Sequence, residues 1–244
     1  MCDAPQLSVI LRFSNRSRFR LRNLQIIIAL IQSTPNLEII ISTMELDAPK
    51  IPGTIQVFQP GTFESSKANN YGAAAANSDI FVFQDADIIF EPKYYNEILA
   101  AVHTGAESVR IADTCVNLGE EKSDIFSKNT TALHEFLENI PDGGRDAPGG
   151  CSAITRAAFK RIGGHCELFK VYGWEDTYYR HKLNVLTKRT SLGAKMAHLW
   201  HEDNFQGWAQ PQNSQLYCEI IENAESCERC TQRDKTFLEM TYKI

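Results

Sequence analysis

The chain has 244 residues, with 25 basic and 30 acidic side chains and a formal net charge of −5. This length is enough to bury a core of one domain, and the acidic balance argues against a general nucleic-acid-binding protein, which carries a basic surface. The longest apolar run, Ile26–Ile31, is far shorter than the roughly 20 residues that span a bilayer. Met1–Gln6 also lacks the basic and apolar stretches of a signal peptide. We therefore expect a cytoplasmic protein without a transmembrane segment.

Four strands and three helices are predicted in the first half of the chain. The strands are short apolar or β-branched runs bounded by turn residues, at Leu7–Phe13, Leu37–Thr43, Thr54–Phe58 and Ile80–Gln84. The helices are predicted at Leu21–Gln32, Ser65–Ala76 and Lys93–His103. Strands and helices in this order predict an α/β fold with a mostly parallel sheet covered on both faces. Such a sheet binds ligands beyond the carboxyl ends of its strands.

The second half of the chain is less regular. Asp142–Gly150 is rich in glycine and turn residues, which makes it a candidate domain boundary or mobile lid. The remaining predicted elements are a strand at Cys151–Thr155, helices at Arg156–Ile162 and Glu175–Leu186, a strand at Lys195–Trp200, and one or two helices over about the last 35 residues.

The seven cysteines are an odd number, and without an export signal free thiols are their default state. Cys227 and Cys230 have the spacing of a zinc knuckle, and Cys218 is a candidate third ligand. Because no second Cys or His pair follows, two surface thiols on a C-terminal helix are the favoured interpretation.

Two carboxylates, Asp85 and Asp87, follow the fourth predicted strand. Carboxylates at this spacing can share one divalent ion, or divide between the ion and a sugar hydroxyl. Hard cations such as Mg²⁺ and Mn²⁺ prefer these oxygen ligands and complete their coordination with phosphates. Such a short motif also arises by chance, and the alternative is a solvated strand end.

Two further groups of residues can carry chemistry. Glu175 and Asp176 follow a Gly-Trp corner, where one carboxylate can act as general base on a substrate hydroxyl while the other orients it. The alternative is that they only cap a helix. His198 and His201 can ligate a metal, or one can be a packed histidine and the other exposed.

Taken together, these motifs resemble the nucleotide-sugar glycosyltransferases of the GT-A fold, over nearly the whole chain up to about residue 205. Ser8–Arg16 resembles the opening strand and turn of family 2 enzymes. Phe63–Gly72 and Phe81–Asp87 resemble two segments of the β-1,4-galactosyltransferases, the second of which is their strand and metal motif. Most specific is Gly149–Gly164 followed by Phe169–Asp176, which resembles the Gly-Gly-x-Ser-Ala-x-Thr-Arg … Trp-Gly-x-Glu-Asp block of galactosyltransferases and chondroitin-type polymerases.

The resemblance implies a GT-A fold, a Rossmann-like mixed and mostly parallel sheet flanked by helices, and a role for each motif. Asp87 would bind Mn²⁺ (or Mg²⁺) as cofactor, and Asp85 would contact the donor ribose or the ion. His198 would be the histidine ligand of the metal, with His201 as the second candidate. Asp176 would take the proton from the acceptor hydroxyl.

The remaining residues of the predicted site divide between acceptor and donor. Glu175, Trp174 and Gly150 would bind the acceptor, Glu175 by positioning its sugar and Trp174 by offering a flat apolar face. Asn70 would contact the donor, together with the basic residues discussed next.

Two positions depart from the galactosyltransferase pattern. Ser65 stands where those enzymes have an arginine that is expected to contact the diphosphate, so that Lys67 or Arg16 would have to supply this charge. The second predicted strand also lacks the usual Asp-Asp at its end, and Glu45 or Asp47 would have to recognise the uracil.

The function implied is the inverting, metal-dependent transfer of a hexose or N-acetylhexosamine from a UDP-sugar to a saccharide or glycoconjugate acceptor, in glycan or polysaccharide synthesis. Inversion is expected because Asp176 replaces the asparagine usual in the retaining polypeptide N-acetylgalactosaminyltransferases, and a carboxylate permits base catalysis. The alternatives are a catalytically inactive nucleotide-sugar or glycan-binding module of the same fold, and a nucleotidyltransferase, which leaves the Gly-Trp-Glu-Asp block unexplained.

Three segments are expected within this fold. Residues 1–110 would form the nucleotide-sugar-binding half of the GT-A domain and residues 111–205 its acceptor-binding and catalytic half. Residues 206–244 would form a C-terminal helical extension, through which a protein partner or a membrane surface could hold the enzyme.

Overall fold

Strands and helices alternate along most of the chain in the computed structural model. The described residues are 5–44, 50–141, 144–147, 149–171, 173–202, 211–221 and 224–242. Within them, the strands are β1 (Leu7–Phe13), β2 (Leu37–Thr43), β3 (Ile55–Phe58), β4 (Ile80–Asp85), β5 (Ile88–Ile89), β6 (Ser108–Arg110), β7 (Thr114–Asn117), β8 (Arg145–Asp146), β9 (Cys151–Thr155), β10 (Arg189–Ser191) and β11 (Ala197–His198). The helices are α1 (Arg18–Gln32), α2 (Ser65–Ala75), α3 (Lys93–His103), α4 (Glu120–Lys128), α5 (Leu133–Glu138), α6 (Arg156–Arg161), α7 (Glu175–Leu186), α8 (Pro211–Ile221) and α9 (Ala224–Tyr242).

A seven-stranded sheet forms the centre of the fold, in the order β10-β6-β9-β4-β1-β2-β3. β1 pairs in parallel with both β2 and β4, and β2 pairs in parallel with β3. β9 runs antiparallel between β4 and β6. β1 and β4 are buried almost throughout, as expected for parallel strands that helices cover on both faces. The mostly parallel α/β sheet is therefore confirmed, with one reversed strand inside it.

The ends of most elements agree with the sequence pattern, and the differences have local causes. β1, β2, α3, β9 and α7 begin and end as predicted. α1 begins at Arg18, earlier than expected, because the Ser17 side chain caps it by accepting a hydrogen bond from the Arg20 backbone N–H. The strand expected at Lys195–Trp200 is only β11, because its antiparallel partner β5 is equally short.

A smaller sheet, in the order β5-β11-β7-β8, lies next to the acidic motif. β11 pairs antiparallel with β5, so that His198 is the register partner of Ile88, the residue after Asp87. β8 pairs with β7. The segment expected as a loop at 142–150 therefore contributes an edge strand, and its residues 142, 143 and 148 are not among those described.

The C-terminal helices α8 and α9 agree with the predicted helical extension. Leu238 of α9 is buried in an apolar cluster with Phe159 of α6. Lys182 of α7, which is fully buried, donates a hydrogen bond to Asp234 of α9 at 3.1 Å. The segment limits at residues 110 and 205 stay predictions. Across the described residues, no helix combines the length and apolarity needed to cross a membrane.

Candidate active site

The candidate site lies at the carboxyl ends of β1 and β4, where the segment before β9 and the first turn of α7 also meet. Arg12 of β1 and Asp85 of β4 are register partners in adjacent parallel strands. Arg12, Asp85, Gly149 and Asp176 line the same small cavity of about 20 Å³. This volume suffices for about one water molecule. The fold thus brings together a strand arginine, a glycine-rich segment and carboxylates from two motifs far apart in sequence.

Arg12 connects the two acidic motifs. Its Nε lies 2.7 Å from Asp85 Oδ1. Its Nη1 and Nη2 donate hydrogen bonds of 3.0 and 2.9 Å to the two carboxylate oxygens of Asp176. Bidentate pairing of this kind fixes both the position and the plane of a carboxylate. Sequence analysis missed Arg12, although a guanidinium inside an otherwise apolar strand was a visible signal that carboxylates must pair with it.

Burial and mutual repulsion perturb two of these carboxylates. Desolvation and the neighbouring Asp176 charge raise the pKa of Glu175 to about 7, although the positive charge of Arg12 opposes this shift. Desolvation also raises the pKa of Asp85 to about 6, although Arg12 opposes this shift. Carboxylates with raised pKa values cluster at functional sites because their charge is held where water is scarce.

The glycine-rich segment before β9 lets the backbone approach the carboxylates. A Cβ atom at Gly149 would collide with the Asp176 carboxylate. Gly150 has φ +85°, a left-handed conformation that favours glycine, and its carbonyl accepts a hydrogen bond of 2.8 Å from the Asp85 backbone N–H. The predicted acceptor residue Gly150 therefore lies against the metal motif, with a backbone that other residues adopt only under strain.

Trp174, a predicted acceptor residue, immediately precedes α7 with φ 70°. Its ring packs against Tyr217 of α8, with centroids 4.8 Å apart. Trp174 is only partly buried. This conformation turns the chain so that Glu175 and Asp176 occupy the first turn of α7, where the helix dipole favours carboxylates.

Asp87, His198 and His201 form a cluster that can hold a metal ion. One ligand atom from each residue lies within 4.8 Å of the others. The Nε2 atoms of His198 and His201 lie 3.5 and 3.2 Å from the two Asp87 oxygens. Burial disfavours the Asp87 charge, but the neighbouring histidines outweigh it and hold the pKa of Asp87 well below its usual range. The structure brings both candidate histidines to Asp87, and which of them ligates a metal stays a prediction.

The donor set of this cluster fits a divalent cation. Burial lowers the pKa of His198, which favours the neutral imidazole that a metal requires. His201 Nδ1 lies 3.0 Å from the Glu202 carbonyl oxygen, and the tautomer that donates there would leave Nε2 free to ligate a metal. The Asp87 carbonyl in turn accepts a hydrogen bond of 2.8 Å from Leu199 N–H, which ties the acidic turn to the histidine strand. Asp85, the fourth predicted ligand, pairs with Arg12 instead of joining the cluster.

The predicted donor residues Arg16 and Lys67 lie near the start of α2. The Arg16 guanidinium lies over the Phe63 ring, 5.8 Å from its centroid. Lys67 Nζ pairs with Glu64 Oε2 at 3.1 Å. Both basic groups therefore stand close to the beginning of the helix, and a contact with the donor stays a prediction.

Asn70, also a predicted donor residue, holds two segments together. Its side-chain amide donates to the His165 carbonyl at 2.9 Å and to Glu167 Oε1 at 2.8 Å, and its oxygen accepts from the His165 N–H at 3.0 Å. Asn70 is 1% exposed. In this structure Asn70 fastens α2 to the segment between α6 and α7, and its contact with a donor stays a prediction. Glu45 and Asp47, proposed for uracil, lie outside the described residues.

A second arginine missed by the sequence analysis faces the metal cluster. Arg20 lies in the first turn of α1, and its positive charge acts on both Asp87 and His198. Its Nε is buried and has no hydrogen-bond partner in the part of the chain that is described. A buried, unpaired guanidinium nitrogen beside an acidic motif is a group that an anion can satisfy.

The C-terminal cysteines give no metal centre among the side chains described. Cys218 is exposed and Cys230 is buried. The Cys227 side chain lies outside the described residues, so the zinc knuckle stays untested.

Comparison with known proteins identifies the class. The family description "Glycosyl transferase family 2" matches residues 10–163, well over half of the chain. The chain therefore belongs to glycosyl transferase family 2. A search of curated proteins finds no significant match.

Two solved structures share the fold. The catalytic domain of Drosophila β1,4-galactosyltransferase 7, in complex with xylobiose, is 13% identical with a TM-score of 0.54, and the match covers 86% of this chain and 79% of that one. Glucosyl-3-phosphoglycerate synthase from Mycobacterium tuberculosis, in complex with Mn²⁺, UDP and phosphoglyceric acid, is 17% identical with a TM-score of 0.51, over 93% of this chain and 78% of that one. The protein is thus a glycosyltransferase of the GT-A fold.

Proposed function

We propose that this protein is an inverting, metal-dependent glycosyltransferase that moves a hexose or N-acetylhexosamine from a UDP-sugar to a saccharide acceptor. The observation that carries the proposal is the pairing of two sites across one short turn. The Asp87–His198–His201 cluster lies on one side of Ala86, and on the other side Arg12 joins Asp85 to Asp176. One neighbour in fold holds Mn²⁺ and UDP and the other holds xylobiose, which supports a donor and a saccharide acceptor.

The donor side of the site is built for negative charge. Asp87, His198 and His201 would hold Mn²⁺, and their two imidazole nitrogens favour it over Mg²⁺, which prefers oxygen ligands. When bound, the ion supplies Lewis-acid stabilisation of the departing diphosphate. Arg20 would donate to the diphosphate oxygens and so replace the positive charge that is missing at Ser65.

The acceptor side of the site is built for proton transfer. Asp176 would accept the proton of the attacking acceptor hydroxyl, since each of its carboxylate oxygens keeps a second lone pair beyond the one that Arg12 occupies. Arg12 would hold this carboxylate in a fixed position and plane. Glu175 would position the acceptor sugar, with Trp174 and Gly150 as further contacts. Base catalysis by a carboxylate on the acceptor supports inversion at the anomeric carbon.

The test is the Asp176→Asn variant. We expect Mn²⁺-dependent transfer or hydrolysis, measured as UDP release over a panel of UDP-sugars, to fall by at least about 1000-fold, because the base acts in the transition state. Binding of UDP with Mn²⁺, measured by calorimetry, should stay within a factor of about three of wild type. The control is Asp79→Asn, whose side chain is 95% exposed and far from the chemistry.

Three results would oppose the proposal. Full activity of Asp176→Asn would eliminate the base assignment. UDP binding without turnover in the wild type, for every UDP-sugar and a range of saccharide acceptors, would favour the inactive binding module. Release of pyrophosphate in place of UDP would indicate a nucleotidyltransferase.

A further inference from the structure

The C-terminal helix α9 is attached to the segment that leads into the candidate active site. Lys182 Nζ donates to the Gly164 carbonyl at 2.6 Å as well as to Asp234 of α9. A Cβ atom at Gly163 would lie only 2.6 Å from the Lys235 backbone nitrogen of α9. The helix α9 therefore packs directly on Gly163 and Gly164, which follow α6. Gly164 lies eleven residues before Glu175.

Two thiols meet at this junction, one from each side. Cys166 lies in the segment between α6 and α7, and Cys230 lies on α9; their side chains belong to the same apolar cluster and hydrogen bond to each other. Arg233 Nη2 lies 2.7 Å from Cys230 Sγ and 3.9 Å from Cys166 Sγ. Next to a guanidinium one of two neighbouring thiols can ionise and act as the nucleophile, and the other can then form a disulfide with it.

Cys230 is reachable from outside, although only 6% of its surface is exposed. It lines a cavity of about 310 Å³ between α8 and α9, together with Leu216, Glu219, Ile220, Arg229 and Arg233. Cys166, 3% exposed, does not line this cavity and lies behind Cys230. A small oxidant would therefore meet Cys230 first.

The two thiols differ in acidity, and the difference is consistent with Cys230 reacting first. The hydrogen bond from Cys166, assisted by the Arg233 charge, lowers the pKa of Cys230 to about 7. The same hydrogen bond and burial raise the pKa of Cys166 well above its usual range. The two shifts therefore favour the thiolate at Cys230 and the protonated thiol at Cys166.

We propose that Cys166 and Cys230 are a redox-active pair, which a hydroperoxide converts into a disulfide that fastens α9 to the segment preceding Glu175. The Cys230 thiolate attacks a peroxide oxygen, the O–O bond breaks, the other oxygen leaves as hydroxide and takes up the proton that the Cys230 thiol had released, forming water, and the cysteine becomes a sulfenic acid. The Cys166 sulfur then attacks the Cys230 sulfur, the S–O bond breaks, and hydroxide leaves with the Cys166 proton as water. Overall, two thiols and one H₂O₂ give one disulfide and two molecules of water.

The bond would act on the site through a short path. His165 precedes Cys166, and the Asn70 side chain makes two hydrogen bonds with the His165 backbone. The chain then runs on to α7, which begins with Glu175 and Asp176. A disulfide at this place would restrain both the C-terminal helix and this segment. The proposal does not depend on the proposed transferase activity, because it concerns the thiols alone.

The experiment uses the purified full-length chain, reduced with dithiothreitol, freed of reductant and treated with one equivalent of H₂O₂ at pH 7. We expect peptide mapping under non-reducing conditions to show a Cys166–Cys230 link, with loss of two hydrogen atoms from the intact mass. The melting temperature should rise by roughly 10 °C, because the bond closes a long loop, and dithiothreitol should reverse the change.

Variants separate the pair from the other thiols. Cys230→Ser and Cys166→Ser should abolish the link and the shift in melting temperature, whereas Cys218→Ser, at an exposed position, should leave both unchanged. Arg233→Met should slow the oxidation of Cys230 roughly threefold or more, because loss of the guanidinium charge raises the pKa of Cys230 and lowers its thiolate fraction.

The mapping of the wild-type chain decides the question even if a variant fails to fold. A link from Cys227 or Cys218 to either thiol, irreversible oxidation of Cys230 without a link, or two thiols that stay reduced while Cys218 oxidises would each overturn the proposal.

Discussion

Replacement of Arg12 by methionine is the sharpest test of how the site is assembled. Arg12 makes contacts of 2.7, 2.9 and 3.0 Å with Asp85 and Asp176, and its side chain is 13% exposed. Removing one partner from a buried ion pair costs about 3–5 kcal/mol, because the remaining charge has no compensation. Since both aspartates are 26% exposed, we expect the lower end of this range, about 3 kcal/mol.

The loss should depend on pH. Arg12 lowers the pKa values of Asp85 and Glu175 in the folded protein, so its removal raises them further while the unfolded values stay the same. The folded variant then binds more protons than its unfolded state, and its stability relative to wild type falls as pH rises. The destabilisation should be clearly larger at pH 7.5 than at pH 5.

Urea unfolding at the two pH values measures this effect, with the melting temperature at pH 7.5 expected to fall by roughly 6–12 °C. Arg161→Met is the control: this arginine pairs with Glu107 at the surface, where its side chain is 47% exposed, so its loss should cost less than about 1 kcal/mol. A destabilisation by Arg12→Met below about 1 kcal/mol, or one that is the same at both pH values, would refute the ion-pair reasoning.

Three further predictions concern the metal, the acid pair and the diphosphate. His198→Ala and His201→Ala should each weaken Mn²⁺ binding at least about tenfold in calorimetry, and unchanged affinity in both would contradict the cluster. Because the folded pKa of Glu175 is raised from 4.5 to about 7, its contribution to stability is lost as pH rises through this window. Glu175→Gln should remove up to about 3 kcal/mol of that pH dependence in urea unfolding. Arg20→Ala should weaken binding of UDP with Mn²⁺ by about tenfold or more, whereas Arg18→Ala, at an exposed position on the same helix, should not; equal effects would count against Arg20 as the diphosphate contact.

The sequence predicts the sheet well because its strands are buried on both faces. β1 and β2 consist mostly of apolar and β-branched residues, and turn residues follow β1 and precede β2. α7 is also predicted at both ends, since a Gly-Trp corner and two carboxylates begin it. Local chemistry alone determines these boundaries.

What the sequence does not predict depends on contacts between distant residues. The direction of β9 inside the sheet follows from its pairing with β4 and β6, which no local pattern records. The convergence of His198 and His201 on Asp87 likewise depends on the pairing of the two-residue strands β5 and β11. The sequence shows Arg12 only as a charged residue in a mostly apolar strand. Its partners Asp85 and Asp176 lie 73 and 164 positions further along the chain, so no local pattern predicts the pairing.

The turn between β4 and β5 explains why two carboxylates so close in sequence have different partners. Side chains two residues apart on one strand point to the same face. Asp85 ends β4, however, and Asp87 lies in the turn before β5, so one carboxylate faces Arg12 and the other faces the histidines. The division suits the proposed reaction, in which the departing diphosphate requires positive charge and the attacking hydroxyl requires an ionised base. A metal ion held by both aspartates would have to draw Asp85 away from Arg12. Arg12 would then be held by Asp176 alone. We therefore propose Asp87 with two imidazoles as the ligand set, because it leaves the pairing of Arg12 with Asp85 and Asp176 intact.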